Sequence, residues 1–425
     1  MALGYATIFN SYYHSIRIGT ITRSPALRSA FVFGGSGVLF AVSNLIFARV
    51  MPKIEFATFV LFFALVQIGI ALGPAGAQII VNRKNLDPSI YLFKRTLLIS
   101  FMIGGLIIAI SSFIYNIPMG LLILLLYVII MGATNSVAAA HFQSKQHFGI
   151  SLLLTQNRNL FFAIAAFITL IFKFSNAWLP CLIIAAGYTI SAVSGSVKLL
   201  SNHSTDIFSK THIPWRESIA ILGFSAAVLI MSLLERLIVP KVLSIEALAT
   251  LGVLMTLAGS PFKILEGGIR FTMLPRFRDA NGAEGLRRLL AKEGMVVLFV
   301  VFFSSLIVWF LAPILVKWFL PGKYDISQAL LAAAVIAGFA KIFDAFSATA
   351  LTALGSSKEL GVFSFLSWIS LAISATGAFI GACWGLEGVI YGVASGWYCR
   401  ASIALVLTKK YFHFNEKGAK NEFYG

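Results

Sequence analysis

Eight ionisable side chains sit where an apolar sequence offers them no water: Glu235 and Arg236, then Lys263, Glu266 and Arg270, then Lys341 and Asp344, and finally Arg400. At the centre of a lipid-embedded helix each costs about 2.5–3.5 kcal/mol on insertion scales, so each needs a compensating partner. Five bases against three acids leave two positive charges over. Lys263, Glu266 and Arg270 follow i, i+3, i+7 spacing, which puts them on one helix face with Glu266 set to pair with Arg270. Lys341 and Asp344 are spaced to pair likewise. Two chemistries fit the set. One is internal ion pairing that only holds helices together. The other is a cationic cleft for phosphate oxygens, a task that suits the arginine fork. Glu235, Glu266 and Asp344 are the groups able to take up a proton or a sodium ion, unless each stays paired to its neighbouring base. Arg49 and Arg158, beside the ends of apolar runs, and Arg83, in a basic turn, are further candidate ligands for an anion.

Other chemistries find little support. Cys181, Cys383 and Cys399 show no CxxC or histidine spacing, and the six histidines form no HExxH array, so neither a metal nor any other cofactor is expected. A membrane enzyme would display acidic or nucleophilic groups on a sizeable loop, whereas the external loops run to about a dozen residues. The first 25 residues carry tyrosines and polar groups where a signal peptide needs an apolar stretch.

The elements that must position these charges are membrane spans. Hydrophobic residues make up 59% of the 425 and charged residues 12%, with a mean hydropathy of +0.89. A soluble core does not reach such values. A hydrocarbon layer of roughly 30 Å takes about 20 apolar residues at helical rise. Spans are expected over Ala26–Ala48, Ala57–Val81, Thr96–Tyr115, Pro118–Ala140, Asn159–Phe172 and Ala177–Val197, then Ser218–Val239, Ala247–Met273, Gly294–Val316, Ala329–Ala353, Gly361–Cys383 and Leu386–Thr408. The predicted fold is all-α and polytopic, with about twelve transmembrane helices. Trp178, Trp309, Trp318 and Trp397 lie near expected span ends, where indole rings anchor to the interface.

Basic residues orient the chain. With the amino terminus in the cytosol, 22 of the 33 Lys and Arg fall in cytosolic segments and 6 outside, which places both termini inside. Asn202 and Asn281 are then cytosolic and Tyr324 is external and open to water. The net charge of +17 seats basic loops on an anionic leaflet, and no nucleic-acid partner is needed to explain it.

The chain also repeats. A shift of 188 residues lays Arg28, Gly35, Pro52 and Lys53 over Arg216, Gly223, Pro240 and Lys241. The second and eighth spans each carry a helix-breaking cluster, Gly73-Pro74-Ala75-Gly76 and Gly259-Ser260-Pro261, with Arg83 and Arg270 nine residues past the prolines. Gly73, Pro74, Gly76, Gly259 and Pro261 are therefore the expected hinge or gate. Two parallel six-helix lobes follow, residues 1–200 and 216–425, joined by a cytosolic linker over 201–215 and flanking a central cleft.

The run Gly34-Gly35-Ser36-Gly37, then Ala48-Arg49-Val50-Met51-Pro52 with Glu55-Phe56-Ala57, then Gly73-Pro74-Ala75-Gly76 with Val81-Asn82-Arg83, resembles the start of the polysaccharide transporter family. These are O-antigen and exopolysaccharide flippases of the multidrug/oligosaccharidyl-lipid/polysaccharide exporter superfamily. The resemblance implies transfer of an undecaprenyl-pyrophosphate-linked oligosaccharide across the bacterial inner membrane by alternating access. Membrane lipids, a polysaccharide polymerase and glycosyltransferases are the partners it implies. Arg83, Arg270, Lys263, Arg236, Lys341, Arg158 and Arg49 are then the candidate ligands of the pyrophosphate. Lipid II flippases of the superfamily commonly carry two further helices and an arginine inside the first span, and this chain has neither. Drug/cation antiporters want acidic residues in the first lobe, whose six spans hold no Asp or Glu over the stretches given above.

Overall fold

The computed structural model describes residues 25–84, 86–145, 147–201, 215–278 and 282–422. Over these the chain is helical throughout. Lipid offers no partner to a free N–H or C=O, so each apolar run closes its backbone bonds within itself. The first half comprises α1 (Pro25–Val50), α2 (Lys53–Leu72), α3 (Ala77–Lys84), α4 (Ile90–Ile114), α5 (Met119–Ser144), α6 (Phe148–Phe172) and α7 (Trp178–Ser201). The second comprises α8 (Trp215–Val242), α9 (Ile245–Leu254), α10 (Ser260–Arg278), α11 (Gly282–Phe319), α12 (Gln328–Leu354), α13 (Ser357–Gly381) and α14 (Gly385–Glu422). Among the described residues nine stretches have the length and composition to cross a membrane, and one of them, Lys358–Lys409, runs through both α13 and α14. With α1 and α8, and with α2–α3 and α9–α10 each counted as one pass, the chain crosses about twelve times. The proposed linker falls mostly on 202–214, outside the described residues.

Helix pairings repeat between the halves. In the first, α1 packs on α6, α2 and α3 on α5, α4 on α5, and α7 on both α5 and α6. In the second, α8 packs on α13, α10 on α12, α11 on α12, and α14 on both α12 and α13. Between lipid-bathed helices close packing replaces hydrophobic drive, and small residues permit it. At the α13–α14 crossing Gly377 and Gly381 meet Gly392 and Gly388 backbone to backbone. Ser374 Oγ donates to the Val393 carbonyl at 3.0 Å beside them.

Three expectations change. The fifth span is not Asn159–Phe172 but a 25-residue helix starting at Phe148, because Gln156, Asn157 and Asn159 satisfy one another and their neighbours instead of seeking water. Arg158, expected at the cytosolic start, is therefore inside the helix. The two Gly/Pro clusters also differ. The first is a true break, with Ala75 and Gly76 at φ of 50° and 78°. A Cβ on Gly76 would meet the Ser218 carbonyl oxygen at 2.5 Å, and Ser218 Oγ donates to the Ala75 carbonyl at 2.7 Å. The second is a π-helical turn, Met255–Gly259, inside an otherwise continuous helix. Pro261 follows that turn directly, inside the continuous helix, where it has no N–H to donate to the turn before it. Lastly, Trp397 anchors no interface: it lies 2% exposed in the core of the second half.

Candidate functional site

The ionic residues converge between the halves, mostly from the second. Lys341 of α12 binds Glu235 of α8, Nζ to Oε1 at 3.1 Å. Three residues on, Asp344 does not pair with Lys341. It lies 0% exposed and receives Arg400 of α14, itself 1% exposed, with Nη1 2.5 Å from both carboxylate oxygens. Arg400 also donates from Nε to Ser367 Oγ at 3.1 Å and lies over the Phe363 ring at 4.6 Å. The expected Lys341–Asp344 pair is thus replaced by two pairs that each tie different helices, because on a helix packed on several sides a charge gains more by also closing a gap to a neighbour.

Glu266 and Arg270 do pair, Oε1 to Nη2 at 3.0 Å, as their spacing predicts. Arg270 Nη2 also stands 3.8 Å from Asp344 Oδ2, so Glu266 is not its only restraint. The chain Glu266–Arg270–Asp344–Arg400 links α10, α12 and α14, and fixes the second half internally.

Three cations remain. Among the described residues no carboxylate pairs with Arg158, Arg236 or Lys263. Arg158 reaches only the Tyr188 hydroxyl at 3.5 Å, and its Nε is buried without a partner. Lys263 senses the charges of Arg236, Arg158, Glu266 and Lys341 together. α8 packs on α9 and runs antiparallel to the α9–α10 span through the turn after Val242. Side chains lean toward their own helix N-terminus, so Arg236 leans away from that turn and Lys263 leans toward it. Arg158 comes from α6 of the first half, which packs on α1, and α1 meets α10 at the contact of Gly37 with Ile264. The group therefore gathers both halves at one place. Counting Arg158, the ionic residues named above are six bases and three acids. An arrangement of that kind can bind a multiply charged anion and can orient two oxygens at each guanidinium.

The other predicted ligands stand apart. Arg49 occupies the last turn of α1, exposed, at the far end from the α2–α3 break. Arg83 lies in α3, but its side chain is outside the described residues. Sequence reasoning missed the depth of Arg158 and the Ser367 and Phe363 supports of Arg400. The polar run Gln156-Asn157-Arg158-Asn159 inside an apolar stretch was the available signal for the first.

No protein-family model and no curated protein sequence matches the chain. Solved structures match it over nearly their whole length. The eukaryotic MATE transporter AtDTX14 superposes with a TM-score of 0.59 at 12% identity, over 92% of this chain and 96% of that one. The lipid II flippase MurJ in an inward closed conformation gives 0.58 at 15%, over 92% and 87%. An outward-facing multidrug resistance MATE family transporter of the MOP superfamily gives 0.52 at 14%, over 92% and 95%. The chain has the MATE and MurJ fold. At these identities the likeness extends to architecture alone.

Proposed function

We propose that the chain is a flippase carrying an undecaprenyl-pyrophosphate-linked oligosaccharide, the repeat unit of an O-antigen or exopolysaccharide, from the cytosolic to the outer leaflet of the bacterial inner membrane. The observation that carries this reading is the cation group Arg158, Arg236 and Lys263, which no carboxylate pairs with among the described residues, between two halves of a transporter fold. A diphosphate cannot enter hydrocarbon unless compensating charges line its path, and a surplus of fixed cations lowers that barrier. The same surplus repels a cationic drug, which disfavours the drug/cation antiport alternative. A lipid II headgroup shares the pyrophosphate and is the second reading, since the lipid II flippase MurJ is among the structural neighbours. Arg83 and Arg270 act earlier in this scheme, collecting the headgroup at the cytosolic mouth, which requires Arg270 to exchange Glu266 and Asp344 for the phosphate. Both termini are cytosolic, and a polymerase and glycosyltransferases act on either side of the step. Glu235, Glu266 and Asp344 are each held by a base, so ion coupling would require one of those pairs to open.

Deletion of the gene tests the cargo. A lipid-linked oligosaccharide should accumulate on the cytosolic leaflet, and the sugar identifies the substrate. Arg158→Gln and Lys263→Gln should each cut flipping about ten-fold or more at normal protein abundance, as loss of a charged hydrogen bond to phosphate predicts. Arg158→Lys should recover only part of the loss. Normal surface polysaccharide in both glutamine variants would remove the cation group from the mechanism.

A further inference from the structure

Two contacts cross between the halves at the end of the molecule away from the Ser218–Ala75 contact, and they are counterparts of each other. In one, Tyr115, the residue after α4, donates its hydroxyl to the Leu237 carbonyl in the last turns of α8 at 2.6 Å. In the other, the turn after α11 reaches the last turn of α1. Lys323 Nζ donates to the Arg49 carbonyl at 3.1 Å and also to the Met51 carbonyl, and the Tyr324 hydroxyl lies 3.4 Å from the Ala48 carbonyl. The 188-residue shift that lays Pro52 and Lys53 on Pro240 and Lys241 lays Arg49 on Leu237. Each contact thus joins the segment after the third span of one half to the same carbonyl position in the first span of the other. Arg49 and Leu237 both lie toward helix C-termini, the negative end of the helix dipole, and the Arg49 carbonyl is among the last four of α1, which lack ladder partners.

We propose that these contacts are a symmetric pair of bolts that holds the two halves shut at the outer face and must release for the cleft to open there. Beneath them α2 packs on α9, with Gly252 against Phe56 and Val60, so the bolts cover the joint between the halves. The Lys323 bolt is electrostatically costly when shut. Burial, and then the Lys53 ammonium, hold its pKa below the ordinary lysine value. Both ammonium groups also face the Tyr324 ring, at 5.5 and 5.8 Å from its centroid. A group disfavoured in its charged form when docked is suited to a contact that opens and closes. This inference goes beyond the flippase reading and stands whatever the cargo is.

Accessibility of the joint tests it. Cys181, Cys383 and Cys399 are first replaced by serine, and Val60→Cys reports from between α2 and α9 to a membrane-impermeant maleimide applied outside intact cells. Tyr115→Phe should speed labelling about five-fold, as loss of one net hydrogen bond shifts a two-state equilibrium, Lys323→Met, which removes two, by about five-fold or more, and the two together by about 25-fold or more. Ser218→Ala, at the opposite end, should not speed it. The proposal is overturned if the double variant, eluting as a single species with an unchanged melting temperature, labels at the parental rate. It is equally overturned if Ser218→Ala speeds labelling as much, since general loosening would then explain the effect.

Discussion

At the scale of single residues, the decisive distinction is between charges that are consumed by one another and charges that are left over. Asp344 and Arg400 belong to the first kind. Both are fully buried, the guanidinium spans both carboxylate oxygens, and Ser367 takes a further donor. Breaking such a pair by removing one partner strands a charge, which costs about 3–5 kcal/mol, whereas replacing both by apolar groups of similar volume is often neutral. Asp344→Ala should therefore lower the melting temperature of the detergent-solubilised protein sharply. Asp344→Leu combined with Arg400→Met should restore most of it. An unchanged melting temperature in the single variant would mean that the pair contributes nothing. The sequence showed that these charges exist and need partners, and it placed Glu266 with Arg270 because both lie on one helix. It could not show Asp344 with Arg400, which are 56 residues apart, or Lys341 with Glu235, 106 apart. Helical periodicity carries no information about which neighbouring helix faces a given side chain.

At the scale of elements, hydropathy located the spans and misjudged what polar residues do within them. The start of α6 was lost because Gln156, Asn157, Arg158 and Asn159 read as a boundary, although their side chains bond to Ser36, Ser191, Tyr188 and one another inside the bundle. Glycine was equally ambiguous. The clusters at Gly73–Gly76 and Gly259–Pro261 look alike in sequence, yet only the first requires left-handed backbone, and only there would a Cβ on the glycine meet another helix, since one on Gly259 meets Met255 of its own. Packing resolves such cases. A Cβ on Gly392 would strike the Gly377 backbone, which cannot give way, while one on Gly105 of α4 meets nothing within 4 Å. Gly392→Ala should cost about 1–3 kcal/mol by overpacking the α13–α14 crossing, measured as lost thermal stability. Gly105→Ala should be neutral or stabilising through helix propensity. Equal losses from both would show that the close crossing is not a stabilising contact.

At the scale of the whole molecule, the charge bias predicts an orientation, and the orientation decides which end of the cleft meets the cytosol. On the sequence reading twelve passes put both termini on the side that holds most of the basic residues, and so put the turn after α11 on the other. That turn is not uniformly accessible, contrary to what its position between spans suggests. Tyr324 is buried against the last turn of α1 while its neighbour Asp325 is exposed. A cysteine at Tyr324 would therefore report on the bolt and not simply on sidedness, and Asp325 is the better probe. Asn202 and Asn281, which lie outside the described residues, are separated from it by an odd number of passes on the sequence reading. In intact cells Asp325→Cys should react fully with an impermeant maleimide, while Asn202→Cys and Asn281→Cys should react only with a permeant one. The reverse pattern would place the basic loops outside. The α2–α3 break and the Arg83–Arg270 level would then face the outer leaflet, and a cytosolic capture step there would be impossible. The same labelling thus tests the orientation and the direction of transport that depends on it.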